Sequence, residues 1–165
     1  MTTFGTLPKI EEIKPEYDRK IFQIIKSVGA EYGAIGDGFG PSDLEVLCMS
    51  QHYKDENNSI YWVAIINGQV VGGSGIAAFN GSSDICELRK LFLLPESRGL
   101  GLGKALTLRC LSYAKAKGYK QCYLDTLSSM KSAISLYEKL GFKRLLSPLD
   151  GTEHSRCDIW MIKEL

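Results

Sequence analysis

The feature that most constrains the fold is a run of alternating glycines, Gly99, Gly101 and Gly103, in the segment LLPESRGLGLGKAL at residues 93–106. An apolar stretch precedes the run, and apolar residues at helical spacing follow it. Glycine inside a helix costs about 1 kcal/mol relative to alanine, so glycines at a helix entrance need a compensating reason. Either the turn is tight, or another group must approach the backbone closely.

A hairpin is predicted before this run. Asn67-Gly68 lies between two segments rich in β-branched and aromatic residues, which is typical of a two-residue turn between antiparallel strands. A further apolar strand is expected at residues 85–94 and leads into the glycines. These three strands form a predicted antiparallel meander.

The predicted order of elements is strand, helix, helix, three strands, helix, strand, helix, strand, strand. The second helix is expected at DLEVLCMSQHYK, with Leu44, Leu47 and Cys48 on its buried face. A crossover helix at residues 101–117 would make the strands at 85–94 and 121–126 parallel. The fold class is therefore α/β (α+β mixed), with a mixed, mostly antiparallel sheet and helices on both faces, in a single domain over residues 1–165.

Composition narrows the function classes. The chain has 44% hydrophobic and 24% charged residues and a formal charge of +1, which suits a soluble domain and gives no general reason to expect nucleic acid or a membrane as partner. Five scattered cysteines form no metal-ligand pattern, so they are interpreted as reduced core thiols, and no metal is expected. With no basic-apolar leader and no long apolar run, the predicted location is the cytoplasm.

Two known phosphate-binding patterns fail at the glycines. A P-loop would need glycine at Arg98 and serine or threonine at Ala105, and the dinucleotide fingerprint finds no glycine at its sixth position. The pattern R-x-x-G-x-G remains, between a strand and a helix. Its backbone N–H groups at the positive end of a helix dipole suit a pyrophosphate, and Arg98 is a further candidate contact. A glycine-rich turn without a ligand is the alternative.

The segments ELRKLFLLPESRGLGLGKAL and AISLYEKLGFKRL together resemble the GNAT superfamily of acetyl-CoA-dependent N-acetyltransferases, with similarity over about residues 60–146. The resemblance implies a sheet of about seven strands that splays between the fourth and fifth, with acetyl-CoA as co-substrate in the gap. One departure is Met130, which occupies a position where many members carry asparagine. The implied cofactor-binding residues are Leu91, Phe92 and Leu93 for the pantetheine arm, and Arg98, Gly99, Leu100, Gly101, Leu102, Gly103 and Lys104 for the pyrophosphate.

The resemblance also implies catalytic roles for two residues. Glu87 stands where members often carry a general base, and its alternative role is to pair with Arg89 on the same strand face. Tyr137 would protonate the departing thiolate, and its alternative role is that of a core aromatic residue. The backbone N–H of Leu93 is the expected donor to the oxyanion. The implied mechanism is direct attack within a ternary complex.

The acceptor is predicted only as a primary amine of a small molecule or peptide. In this fold the loops at residues 31–43 and 147–158 are expected to shape its pocket, and acidic side chains in the first loop either attract the amine or are simply solvated. Both histidines, His52 and His154, are interpreted as surface residues. A homodimer through the closing strand is possible. The competing functions are a non-catalytic acetyl-CoA sensor and a structural interaction protein.

Overall fold

The computed structural model describes residues 7–165, so the prediction about a leader concerns residues that lie partly outside it. Seven strands form one sheet: β1 Lys9–Glu12, β2 Ile60–Ile66, β3 Gln69–Ala78, β4 Ile85–Leu93, β5 Gln121–Thr126, β6 Lys143–Leu145 and β7 Ile159–Glu164. Four α-helices accompany them: α1 Asp18–Glu31, α2 Met49–His52, α3 Leu102–Ala116 and α4 Lys131–Lys139. The predicted mixed fold is confirmed.

The sheet order is β1-β2-β3-β4-β5-β7-β6, and every pair is antiparallel except β4 with β5. That parallel pair is short, because residues 85–87 of β4 pair with residues 121–123 of β5 and the pairing then stops. The second half of β4 therefore runs away from β5. This is the predicted splay between the fourth and fifth strands.

Helices cover both faces of the sheet, as the alternation of side chains along β2 shows. Tyr61, Val63 and Ile65 pack in one core with residues of α1, whereas Ala64 packs with Leu102 and Leu106 of α3. Because successive strand residues point to opposite faces, α1 and α3 lie on opposite sides of the sheet.

A β-bulge interrupts the pairing of β3 with β4 just before the splay. Register changes between Gly73, opposite Phe92, and Gly75, opposite Arg89, so Ser74 faces two residues of β4. Lys90 at the bulge has φ of 55°, a left-handed conformation that is uncommon for a residue other than glycine.

The glycines of β3 make room for the side chain that holds this bulge. A Cβ atom at Gly73 would lie 2.4 Å from the ring of Tyr61, and one at Gly75 would lie 2.6 Å from it. The Tyr61 hydroxyl crosses β3 at this point and donates a 2.8 Å hydrogen bond to the carbonyl oxygen of Lys90. A side chain at either position would clash with the Tyr61 ring. Glycine in β3 therefore allows Tyr61 to reach the bulge in β4 and bond it.

The predicted second helix is wrong in extent and in orientation. A short 3-10 turn covers Leu44–Cys48, and only Met49–His52 is α-helical. Leu44 and Leu47 are 83% and 67% exposed, while Val46 and Met49 are buried instead. The 3-10 turn has three residues per turn, so the helical spacing used for the prediction assigns the wrong side chains to the buried face.

Two further predictions concern the surroundings of the sheet. All five cysteines are free thiols, and three of them, Cys86, Cys110 and Cys122, are buried in the core.

The closing strand is not an edge of the sheet, because β7 is paired with β5 on one side and with β6 on the other. The closing strand was therefore wrongly predicted to be a sheet edge, and a homodimer stays a prediction. Within residues 7–165, no helix has the length and apolarity needed to cross a bilayer.

Candidate active site

Two adjoining cavities lie where β4 leaves β5. One measures about 70 Å³ and the other about 430 Å³. Tyr32, Leu91, Phe92 and Met130 line both, so the two spaces meet along the second half of β4. We call the smaller one the acceptor cavity and the larger one the donor cleft.

The donor cleft is bounded by the glycine loop and the first turn of α3. Gly99 and Gly101 have φ of 79° and 80°, and an added Cβ atom would meet nothing within 4 Å at either position. Backbone conformation, and not crowding, therefore requires glycine there. Gly103 has an ordinary helical conformation, with 3.6 Å between a built Cβ atom and the side chains of Leu93 and Leu136.

The N-terminus of α3 has no side-chain cap. Its capping position is occupied by Gly101, and within residues 7–165 no side chain makes a capping hydrogen bond to the first turn. The unpaired N–H groups carry the positive end of the helix dipole, and Lys104 adds a cationic side chain to the lining of the same cleft. This end of the cleft suits an anion such as a phosphate.

The edge of β4 presents backbone groups to the gap. Leu94 N donates to Val71 O in the ladder with β3, so the preceding residue, Leu93, directs its N–H and C=O groups away from β3 toward the splayed side. The Leu93 carbonyl accepts hydrogen bonds from Arg98 Nε and Nη2 at 3.1 and 2.9 Å.

Arg98 is used within the protein. Besides bonding the Leu93 carbonyl, its two terminal nitrogens contact the Glu31 carboxylate at 2.6 and 2.8 Å. The side chain thus ties the glycine loop to α1 and to the end of β4. Leu100, also predicted to contact the donor, is 59% exposed and its side chain does not line the cleft. The other predicted donor-binding residues line it: Leu91, Phe92, Leu93, Arg98, Gly99, Gly101, Leu102, Gly103 and Lys104.

Both predicted catalytic residues line the acceptor cavity. Glu87 is buried on β4, and Tyr137 is buried on α4. Burial raises the pKa of Glu87, with the neighbouring Asp125 carboxylate adding to the rise and the Arg89 guanidinium opposing it. Burial also raises the pKa of Tyr137 well above its ordinary value, so this phenol keeps its proton.

Glu87 also makes the ion pair that the sequence offered as its alternative role. Arg89 Nε lies 2.7 Å from Glu87 Oε1, and Arg89 Nη1 lies 3.2 Å from Glu45 Oε1. Lys90 contributes another buried cation, with Nζ 2.8 Å from Asp43 Oδ2. Glu87 therefore forms the ion pair with Arg89 and also lines the cavity, and its role as a general base stays a prediction.

His154 corrects the prediction that both histidines lie at the surface. It is only 8% exposed and it lines the acceptor cavity. Its Nδ1 atom is 2.7 Å from Asp125 Oδ1, and its Nε2 atom is 2.8 Å from Asp43 Oδ2. The predicted acidic residue Asp43 is therefore paired with His154 and Lys90 rather than solvated.

Glu87, Asp125 and His154 each place one donor atom within 4.8 Å of the others, an arrangement that could hold a metal ion. Both ring nitrogens of His154, however, already bond carboxylates. An incoming metal would have to displace the ring proton shared with Asp125. The absence of a metal stays a prediction.

The profile of the acetyltransferase (GNAT) family matches residues 30–142, which is most of the chain. That span contains the β4 residues that line the two cavities, the glycine loop and Tyr137. The chain belongs to the GNAT family of acetyltransferases. An uncharacterized N-acetyltransferase of Escherichia coli, YjgM, is 41% identical over 160 residues, which cover 96% of this chain and 95% of the relative.

Other relatives of this GNAT acetyltransferase align in part or through the fold. N-acetylaspartate synthetase of Xenopus tropicalis is 36% identical over 106 residues, covering 63% of this chain and 36% of that protein. A crystal structure of PaiA N-acetyltransferase of Thermoplasma acidophilum in complex with coenzyme A superposes with a TM-score of 0.74 at 20% identity, covering 97% of this chain and all of that one. An acetyltransferase structure from Streptococcus agalactiae gives 0.80 at 21%, covering 96% and 98%. These two likenesses concern the fold.

Sequence reasoning missed two features of this GNAT site. The bulge at Lys90 had a visible signal, because glycines at residues 72, 73 and 75 inside a strand indicate a bulge or a close approach. The burial of His154 had none, since a lone histidine in a polar loop is typical of the surface. Its partners, Asp43 and Asp125, are distant in sequence and meet it only in the folded chain.

Proposed function

We propose that this GNAT acetyltransferase transfers the acetyl group of acetyl-CoA to a primary amine of a small molecule or peptide, by direct attack within a ternary complex. The observation that carries the proposal is the meeting of the two cavities along β4, with Glu87 and Tyr137 both lining the acceptor side. The coenzyme A complex of the PaiA enzyme supports a donor of this type in a similar fold.

The donor cleft has the chemistry for a coenzyme A. The uncapped α3 N-terminus, the left-handed glycines and Lys104 suit its pyrophosphate. The splayed edge of β4 offers backbone groups to the amide-bearing pantetheine arm, in the manner of an added strand. Met130 lines the same cleft and packs an apolar side chain there, and its Sδ atom lies 3.5 Å from the Thr126 hydroxyl.

Glu87 acts as the general base in this proposal. An alkylamine has a pKa of about 10.4 and must lose a proton before it can attack. Glu87, as the carboxylate, accepts that proton directly or through water. Glu87 passes this first proton to solvent and is again a carboxylate when the neutral nitrogen forms its bond with the thioester carbonyl carbon. The second nitrogen proton, released on amide formation, is then accepted by Glu87 and leaves to solvent.

Tyr137 and Leu93 complete the step. As the carbon–sulfur bond breaks, the sulfur takes its electron pair and receives the phenolic proton of Tyr137, giving the free thiol. The Leu93 N–H, which points into the splayed gap, stabilises the oxyanion of the tetrahedral intermediate. Tyrosinate then regains a proton from solvent.

The acceptor side favours a compact amine. Residues of both predicted loops close over the acceptor cavity, among them Phe39 and Pro41 from the first and His154 and Cys157 from the second. Glu87 and Asp125 line it and offer carboxylates to the amine. Arg89, Lys90 and His154 line it as well, and Arg89 and His154 pair with these two carboxylates. The partial match to N-acetylaspartate synthetase supports an amino acid as one acceptor to test.

The test has two stages. Acetyl-CoA at about a hundred times its dissociation constant should stabilise the folded state by about 2.7 kcal/mol, measured as a thermal shift. Thiol release is then followed with amino acids, polyamines, aminosugars and peptides as acceptors. A thermal shift without turnover on any acceptor would favour a non-catalytic acetyl-CoA sensor, and no thermal shift would contradict both functions.

The five free thiols are consistent with the cytoplasmic location that we propose.

A further inference from the structure

His154 connects three separate parts of the acceptor cavity. It belongs to the loop between β6 and β7, its Nε2 contacts Asp43 at the end of the other acceptor loop, and its Nδ1 contacts Asp125 on β5. The same Nδ1 atom lies 3.7 Å from Glu87 Oε2 on β4. A built Cβ atom on Gly40 would lie 3.8 Å from the ring, so the ring is enclosed from that side as well.

We propose that His154 is a positioning residue that, as an imidazolium, holds Glu87 in its carboxylate form beside the acceptor amine. This inference rests on the proposed role of Glu87 as general base. It assigns a function in the reaction to a residue whose ring nitrogens contact the carboxylates of Asp43, Asp125 and Glu87.

The charges that face Glu87 explain why a second cation is needed. Burial disfavours its carboxylate, and Asp125 repels it from β5. Arg89 opposes both, but its guanidinium is shared with Glu45. His154 is the other cation that faces Glu87, and it approaches from the loop side. With one imidazolium beside two carboxylates, the proton resides on the ring and Glu87 remains free to accept another.

The charges that face His154 keep the ring protonated. Burial alone would lower the pKa of His154, but hydrogen bonds to Asp125 and Asp43 outweigh burial and raise that pKa to about 10. Asp43 also bonds Lys90, and the Thr152 hydroxyl bonds Asp125, so both carboxylates are fixed in place. The imidazolium is therefore a constant charge over the pH range in which a buried glutamate titrates.

The experiment compares the pH dependence of kcat/KM for the wild type, His154→Gln and His52→Gln. Glutamine keeps hydrogen-bonding capacity but lacks the charge, so the acidic limb of His154→Gln should move to higher pH, with at least a tenfold loss at about pH 6 and recovery as the pH rises. His52 is exposed and lines neither cavity, and His52→Gln should keep the wild-type profile. An equal loss at every pH, with an unmoved limb, would show a structural role and overturn the proposal.

A second measurement needs neither activity nor a folded His154 variant. The chain has two histidines, so ring NMR signals of the wild type are assigned by comparison with His52→Gln. The proposal requires the His154 ring to remain doubly protonated at pH 8, and a neutral ring there would overturn it. Carboxyl-labelled glutamate reports the titration of Glu87 in the same samples. If acceptors are never acetylated, the proposed function fails, while the ring titration still decides whether His154 carries the charge that this inference requires.

Discussion

Glu87 accepts a 2.7 Å hydrogen bond from Arg89 Nε while its buried carboxylate lines the same cavity as Tyr137. The pair lies two residues apart on one face of β4. An ion pair at this position does not compete with a catalytic role, because Arg89 supports the ionised form that a general base needs. Whether Glu87 serves the reaction or only neutralises Arg89 is decided by comparing it with the second partner of Arg89.

Glu87→Gln should lower kcat/KM by about 10²- to 10⁴-fold, the usual contribution of a positioned base. The matched control is Glu45→Gln, because Glu45 also pairs with Arg89, at 3.2 Å, but does not line the acceptor cavity. We expect the control to lose less than tenfold. Thiol release under subsaturating acceptor measures both. Equal losses in the two variants would mean that Glu87 matters only as a partner of Arg89.

Tyr137→Phe should reduce kcat by about 10²- to 10⁴-fold with little change in the KM for acetyl-CoA, since it removes a proton donor that acts as the thiolate leaves. The ring itself, 5.7 Å from that of Phe142, still packs in the core. Tyr123→Phe is the control, because its hydroxyl is also buried, makes no hydrogen bond among residues 7–165 and does not line the cavity. Activity equal to wild type in Tyr137→Phe would remove Tyr137 from the mechanism.

The variants Gly101→Ala and Gly103→Ala distinguish a glycine that is required by its backbone conformation from one that is not. At Gly101 the φ of 80° strains any other residue, so alanine should lower the free energy of unfolding by about 1–2 kcal/mol. At Gly103 the backbone is helical and a Cβ atom fits at 3.6 Å, so alanine should leave stability unchanged or raise it by up to about 1 kcal/mol. Denaturant unfolding without ligand measures both. Equal destabilisation would contradict the conformational explanation.

The sequence predicted what depends on local pattern. The Asn67-Gly68 turn, the crossover after β4 and the glycine entrance to α3 are each encoded within a few residues, and the structure confirms all three. The acceptor side depends on contacts between distant residues and was predicted only as two loops. His154 and Asp43 are 111 residues apart, and no periodicity relates them.

The prediction of an α-helix at Leu44–Cys48 was wrong for a related reason. Asp43, at the start of the predicted helix, makes no capping hydrogen bond and instead bonds Lys90 and His154. The chain directly after it forms a 3-10 turn. A short side chain that can cap a helix thus forms a long-range ion pair instead. Local sequence propensity does not predict such a pair.

The paired His154 should make stability depend on pH. Burial opposes its charge, yet Asp125 and Asp43 raise the pKa of His154 to about 10, above the ordinary 6.5. A group whose pKa is raised by folding contributes stability that is fully present below pH 6.5 and is lost as the pH rises toward 10. Since each tenfold change in proton affinity is worth about 1.4 kcal/mol, the contribution is on the order of 5 kcal/mol. Urea unfolding of the wild type and His154→Gln, at pH 6 and pH 9.5, measures it. The difference between the two proteins should be large at pH 6 and should shrink at pH 9.5, whereas a constant difference would mean that the imidazolium charge does not stabilise the fold.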